Sequence, residues 1–171
     1  MRKAALASVL GGCALLVGCG QGAGDKAAEP ATSQAPAPEL TAAEKQALLD
    51  SLPAPYNTAD VANGKAKFGM CRSCHTIVPG GANLTGPNLH GVFGRKAGAL
   101  ENYKYSEAVK NAGFVWDAEH LDKWLAQPRD FLPGTKMTFV GLKAEKDRID
   151  LIAYLKLETG YQPAQDANIT K

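Results

Sequence analysis

Cys71-Arg72-Ser73-Cys74-His75 places two thiols three positions apart, with an imidazole directly after the second. On one helical turn both thiols can add to the vinyl groups of a porphyrin. The imidazole that follows is then held beneath the iron, where its nitrogen is a good ligand. C-x-x-C-H is the attachment signature of a c-type haem. The same spacing also occurs in redox-active dithiols, zinc sites and short disulfides. A thioredoxin-like pair needs a preceding strand in a doubly wound pattern, and a zinc site needs about four ligands. The sequence shows no such pattern and no second Cys pair after Cys74. A Cys71–Cys74 disulfide stays open at this point.

A sixth iron ligand has to come from a distant residue. The methionines are Met1, Met70 and Met137. Met1 is lost with the leader described below, and Met70 adjoins Cys71 too closely to cross to the other haem face. That leaves Met137, in Phe131-Leu-Pro-Gly-Thr-Lys-Met137, where Pro133 and Gly134 make a tight turn able to present a side chain to a pocket. His90 and His120 are the alternatives, for a bis-histidine centre.

The elements that position these residues read as helical. A turn-rich helix is expected over 61–69, directly before the haem motif. Asp117 is a good N-cap for Ala118 to Ala126, where Leu121, Trp124 and Leu125 share a face and Pro128 ends the run. Ala144 to Leu157 carries Ile149, Ile152 and Leu155 at helical spacing. Gly- and Pro-rich loops are expected over 79–91 and 128–134. Loops so poor in regular structure need something to wrap around, and a haem supplies a large apolar core for a small domain. The fold class is all-α. Thr41-Ala-Ala-Glu44 has the form of a capping box opening a helix to about Ser51, stopped by Pro53 and Pro55. Whether that helix docks on the following domain or trails as tether is open.

The N-terminus reads as an address. Arg2-Lys3 precedes an apolar stretch from Ala4 to Val17, the form of a secretory signal and short for a membrane span. The stretch ends Leu16-Val17-Gly18-Cys19, which resembles a bacterial lipobox, with cleavage before a lipidated Cys19. Cys13 is a weaker match, and a plain signal with an incidental cysteine is the other reading. Residues 20–39 are rich in Ala, Pro, Gly and Gln and cannot bury enough apolar area to offset their ordering entropy. As a flexible tether this segment reaches about 25 Å. The division expected is signal peptide 1–18, lipidated Cys19 and tether with a short helix 19–57, a haem domain 58–160 and a tail 161–171.

The chain has 171 residues, 19 Lys+Arg against 17 Asp+Glu. Removing Arg2 and Lys3 balances the charges, which excludes a nucleic-acid binder relying on bulk charge.

From about Thr58 to Gly160 the chain resembles a class I cytochrome c of the mitochondrial and α-proteobacterial type. The resemblance rests on Gly64-Lys-Ala-Lys-Phe68, Cys71-Arg-Ser-Cys-His75, Thr85-Gly-Pro-Asn-Leu-His-Gly91, Phe93-Gly-Arg95-Lys-Ala-Gly98, Trp116, Pro133-Gly-Thr-Lys-Met137 and Asp150-Leu-Ile-Ala-Tyr154-Leu, in family order. It implies one haem c bound through Cys71 and Cys74, with His75 and Met137 as axial ligands. It implies that the Pro87 carbonyl accepts a hydrogen bond from His75, and that Arg95, Tyr105 and Trp116 contact the haem propionates. Trp124 stands near Met137 where many relatives have Tyr, and Val109 where many have Asn, so a drier pocket and a raised potential are expected. Of the lysines that ring the haem edge in mitochondrial relatives, several are replaced, by Met70, Ala82 and Asp130. Arg72, Lys136 and Arg129 remain as cations there.

The function implied is a monomeric, non-enzymatic one-electron carrier in the cell envelope, facing the periplasm. It is held to the membrane by lipid and runs from a quinol-oxidising cytochrome complex to a terminal oxidase or reductase. An electron-transfer subunit of a dehydrogenase or oxidase, a peroxidase-like haem enzyme and a small-ligand haem sensor are the alternatives.

Overall fold

A computed structural model describes residues 39–159. The expected signal segment, Cys19, the tether through residue 38 and the tail after residue 160 lie outside the described residues.

Six helices follow one another: α1 (Ala42–Asp50), α2 (Val61–Phe68), α3 (Glu107–Lys110), α4 (Ala118–Ala126), α5 (Pro128–Phe131) and α6 (Glu145–Thr159), with a 3-10 turn at Tyr56–Thr58. Among the described residues there is no strand, only an isolated bridge between Lys96 and Val115. The helix starts are chemically marked. Thr41 and Glu44 form the full reciprocal capping box, Asp60 accepts from the Ala62 and Asn63 amides, and Asp117 accepts from the His120 amide. The expected loop over 128–134 is in part helical. Pro128 stops α4 but stands at the start of α5, where its fixed φ suits a first turn and its missing N–H costs nothing.

The frame is the crossing of α2 with α6. Gly64 lies against the Asp150 carbonyl, where any Cβ would collide, so the two backbones approach closely. Phe68 and Tyr154 pack with ring centroids 5.6 Å apart. Across the same crossing the buried Asp150 carboxylate accepts from the Asp60 amide at 2.8 Å and from Asn63 Nδ2 at 2.7 Å, and within α6 from Lys146 Nζ at 2.5 Å. Burial alone would raise the Asp150 pKa; those hydrogen bonds more than offset it and hold the carboxyl below its ordinary value. Lys67 pairs with Asp147 at 2.8 Å on the same seam.

The helix opened by Thr41 docks. α1 packs on α6, Leu48 is buried, and Leu52 and Tyr56 belong to the core that includes Phe68, Leu151 and Ile152. The packed unit therefore begins ahead of position 58. Arg148 ties α6 to Asp122 of α4 at 2.8 Å and to the Leu142 and Lys143 carbonyls at 3.0 Å each.

Candidate haem site

Helix α2 ends at Phe68, and the chain continues in tight turns. The Cys71 amide donates to the Phe68 carbonyl, and the Cys74 and His75 amides donate to the Cys71 carbonyl at 3.0 and 2.9 Å. The two thiols and the imidazole are thus carried on a single turn fixed to the α2–α6 frame. All three side chains line one cavity of about 280 Å³.

The His75 ring is directed by its surroundings. Its Nδ1 lies 2.8 Å from the Pro87 carbonyl oxygen. A carbonyl only accepts, so Nδ1 carries the proton and Nε2 keeps its lone pair free. Burial lowers the His75 pKa, opposed in part by the Pro87 contact, which keeps the imidazole in the neutral form a metal needs. Gly86 is packed on the face of the ring, where a Cβ would overlap the imidazole. The Gly86 amide donates to the Cys74 carbonyl at 2.8 Å and closes the loop beneath the motif.

The rest of the cavity has an apolar part and a polar part. Val92, Val109, Trp116, Leu121 and Trp124 supply apolar wall, and the Trp116 and Trp124 rings meet edge to face at 5.5 Å. Arg95, Tyr103 and Tyr105 supply polar wall. Arg95 donates to the His90 carbonyl at 3.0 Å and the Asn88 carbonyl at 3.2 Å, which fixes its guanidinium beside Tyr105. Burial raises the Tyr105 pKa, with Arg95 opposing.

Met137 lines the same cavity, on the segment that follows the Pro133-Gly134 turn. Its amide donates to Thr135 Oγ1 at 3.2 Å, and the segment is pinned further on where the Leu142 amide donates to the Leu125 carbonyl at 2.8 Å. His90 and His120 are not among the lining residues. His120 stacks on Phe114 at 4.3 Å and bonds to Asp117 at 2.8 Å, so its role is in α4.

The cavity thus gathers Cys71, Cys74, His75, Pro87, Arg95, Tyr105, Trp116, Trp124 and Met137 in one place. Cys19 lies outside the described residues. Sequence reasoning missed Gly86, Leu89, Tyr103 and Phe139 as lining residues. Gly86 and Leu89 left a signal, through their places in Thr85-Gly-Pro-Asn-Leu-His-Gly91.

No disulfide joins Cys71 and Cys74, and burial, with a smaller contribution from Cys74, pushes the Cys71 thiol up to about 11. A redox-active dithiol needs a lowered thiol pKa, so this environment does not suit one. Among the described residues no group of three or more His, Cys, Asp or Glu is placed to hold a metal ion, which a zinc site would need. Two thiols, one imidazole with a directed lone pair and one thioether on an apolar cavity fit a covalently attached haem.

The sequence profile of cytochrome c matches residues 61–157. The chain belongs to the cytochrome c family. Cytochrome c of Theileria parva is 57% identical over 86 residues, covering 50% of this chain and 74% of its own. Cytochrome c2 of Blastochloris viridis is 45% identical over 103 residues, covering 60% and 81%. The solved structure of cytochrome cH from Methylobacterium extorquens superposes with a TM-score of 0.54 at 43% identity, over 57% of this chain and 98% of that one. The fold is that of a small class I cytochrome c. Cytochromes c hold one covalently bound haem c and are electron carriers, not enzymes; Cys71 and Cys74 are placed for that attachment. The family profile excludes α1, so the docked helix stands outside the shared segment.

Proposed function

We propose that this chain is a membrane-tethered monohaem electron carrier in which His75 and Met137 are the axial iron ligands and Cys71 and Cys74 form the thioether links. The observation that carries this reading is the single cavity lined by both thiols, His75 and Met137, with His75 Nδ1 committed to the Pro87 carbonyl. The haem supplies a one-electron couple when bound. The protein's work would be to engage the iron through both His75 and Met137, which would leave no place there for a substrate and need little rearrangement on a redox change.

Pro87 fixes the His75 ring and strengthens its donor nitrogen. Arg95 and Tyr105, with Trp116, would receive the two haem carboxylates, which are costly to bury without donors. Arg95 is suited to this because two of its N–H groups are already spent on backbone carbonyls, so the guanidinium is fixed in place before the cofactor arrives. Trp124 lines the cavity beside Trp116 and keeps that wall apolar.

The leader and lipobox-like Leu16-Val17-Gly18-Cys19 support export, cleavage before Cys19 and acylation there, leaving the haem domain on the periplasmic side of an envelope membrane. Among the described residues no helix is long and apolar enough to cross a membrane. A quinol-oxidising cytochrome complex as donor and a terminal oxidase or reductase as acceptor match a tethered one-electron shuttle. Fractionation of cells making the full chain tests the reading. The expected result is a haem-stained, acylated protein in the membrane fraction that quinol reduces through the membrane, with Cys19→Ser releasing it into the soluble envelope fraction. Wild-type protein that is soluble and unacylated, or that quinol-energised membranes do not reduce, contradicts it.

A further inference from the structure

Between Arg72 and Arg95 the chain contains no Asp, Glu, Lys or Arg, although charged residues make up 21% of the whole. This segment includes the loop that carries Cys74, His75, Thr85, Gly86 and Pro87 on the haem cavity. Its outer surface carries no charge and displays aliphatic side chains. Val78 is 58% exposed and Leu84 46% exposed, and Met70, on the cavity rim just before the motif, is 49% exposed.

The loop is nonetheless rigidly built. Asn88 is buried and its carboxamide nitrogen donates to Thr76 Oγ1 at 2.8 Å, the Val78 carbonyl at 2.9 Å and the Gly81 carbonyl at 2.8 Å. Thr76 Oγ1 donates to the Ala82 carbonyl, Asn83 Oδ1 accepts from the Asn88 amide, and Tyr103 donates to the Thr85 carbonyl at 2.7 Å. Val78 and Leu84 are therefore held in water by a scaffold that gives them no route inward. Exposed aliphatic side chains on a pre-organised, uncharged surface are the signature of a contact face, because little ordering cost remains to be met on association.

We propose that the 76–84 loop is the docking face for a redox partner protein whose own contact surface is uncharged and apolar. The inference rests on the electron-carrier reading above. Charge complementarity selects the partner chemistry: a charged partner surface would have to give up its hydration against this loop without receiving an opposite charge. The face adjoins the haem cavity, which is lined by His75 on one side of the loop and by Thr85, Gly86 and Pro87 on the other. A bilayer is a poorer match, because surface-seated segments use Lys or Arg with Trp or Tyr at the headgroups, and residues 73–94 contain none of the four.

The test uses holoprotein as the full chain and washed membranes from cells lacking it as the probe. The double variants Val78→Glu/Leu84→Glu and Val78→Lys/Leu84→Lys are compared with wild type, each membrane rate being divided by the rate with ferricyanide. Both variants should lower the normalised second-order rate on the order of tenfold, equally at low and high salt. Equal rates for wild type and variants overturn the docking face alone. Opposite effects of Glu and Lys that salt cancels also overturn it, in favour of charge steering. Binding of the Cys19→Ser form to phosphatidylethanolamine–phosphatidylglycerol vesicles, abolished by the Glu pair, overturns it in favour of lipid. Wild-type protein that reacts with ferricyanide but never with membranes overturns the carrier reading and the docking face with it.

Discussion

The α2–α6 crossing and the walls of the haem cavity are held together by different means. At the crossing, protein meets protein directly: Gly64 on the Asp150 backbone, Phe68 on Tyr154, and the Asp150 carboxylate saturated by Asp60, Asn63 and Lys146. The cavity walls are largely loop, with Val92, Val109, Trp116 and Leu121 among the buried residues that line it. The first region carries its own stability. The second would gain from a covalently bound haem, whose binding would count as folding free energy for those loops. The crossing fixes where the attachment turn starts.

Substitutions in the two regions should therefore fail differently. Gly64→Val is the largest expected effect. The new side chain has no space against the Asp150 carbonyl, and separating α2 from α6 should cost about 3 kcal/mol in denaturant unfolding of the holoprotein. Asp150→Asn should cost about 2 kcal/mol, since a buried charge accepting three hydrogen bonds is lost. It should also change the acid limb. The Asp150 pKa is depressed in the folded state, so its contribution is complete above the ordinary carboxylate pKa and is lost as pH falls through the lower folded value. Unfolding measured against pH should show a flatter acid limb in Asp150→Asn.

In the cavity, Val109→Asn should leave the crossing intact. It should cost about 1 kcal/mol through a buried amide. It should also lower the reduction potential by bringing polarity to an apolar wall, as a redox titration would read. An unchanged potential would mean that Val109 and Trp124 do not set the dryness of the pocket. The smallest effect is on salt. Residues 58–160 carry 14 cations and 11 anions before two haem carboxylates are counted, so electron transfer to membranes should change little with ionic strength. A steep fall with salt would assign the docking to charge.

What the sequence disclosed follows the same division. Asp117 and its apolar face defined α4 at Ala118–Ala126, and Thr41 with Glu44 defined the start of α1, because caps and periodicity are local. The thiols, His75 and Met137 were legible as a set because the attachment spacing is specific and few methionines compete. The docking of α1 was not legible, since Leu48 and Leu52 gain their meaning only from α6. Nor was the Asn63–Asp150 bond, whose partners stand 87 positions apart. Helix α3 spans only four residues, too few for a periodic pattern to show. Asn88 read as one polar residue within a loop motif, and only the folded chain brings the Thr76, Val78 and Gly81 acceptors around it.

The most direct measurement is the near-infrared spectrum of the oxidised, haem-matured full chain beside its Met137→Ala variant. The account predicts a low-spin wild-type protein with a weak sulfur-to-iron charge-transfer band that disappears in Met137→Ala. A high-spin wild-type spectrum, or a band that survives the substitution, would contradict His75–Met137 ligation and with it the closed, carrier form of the site.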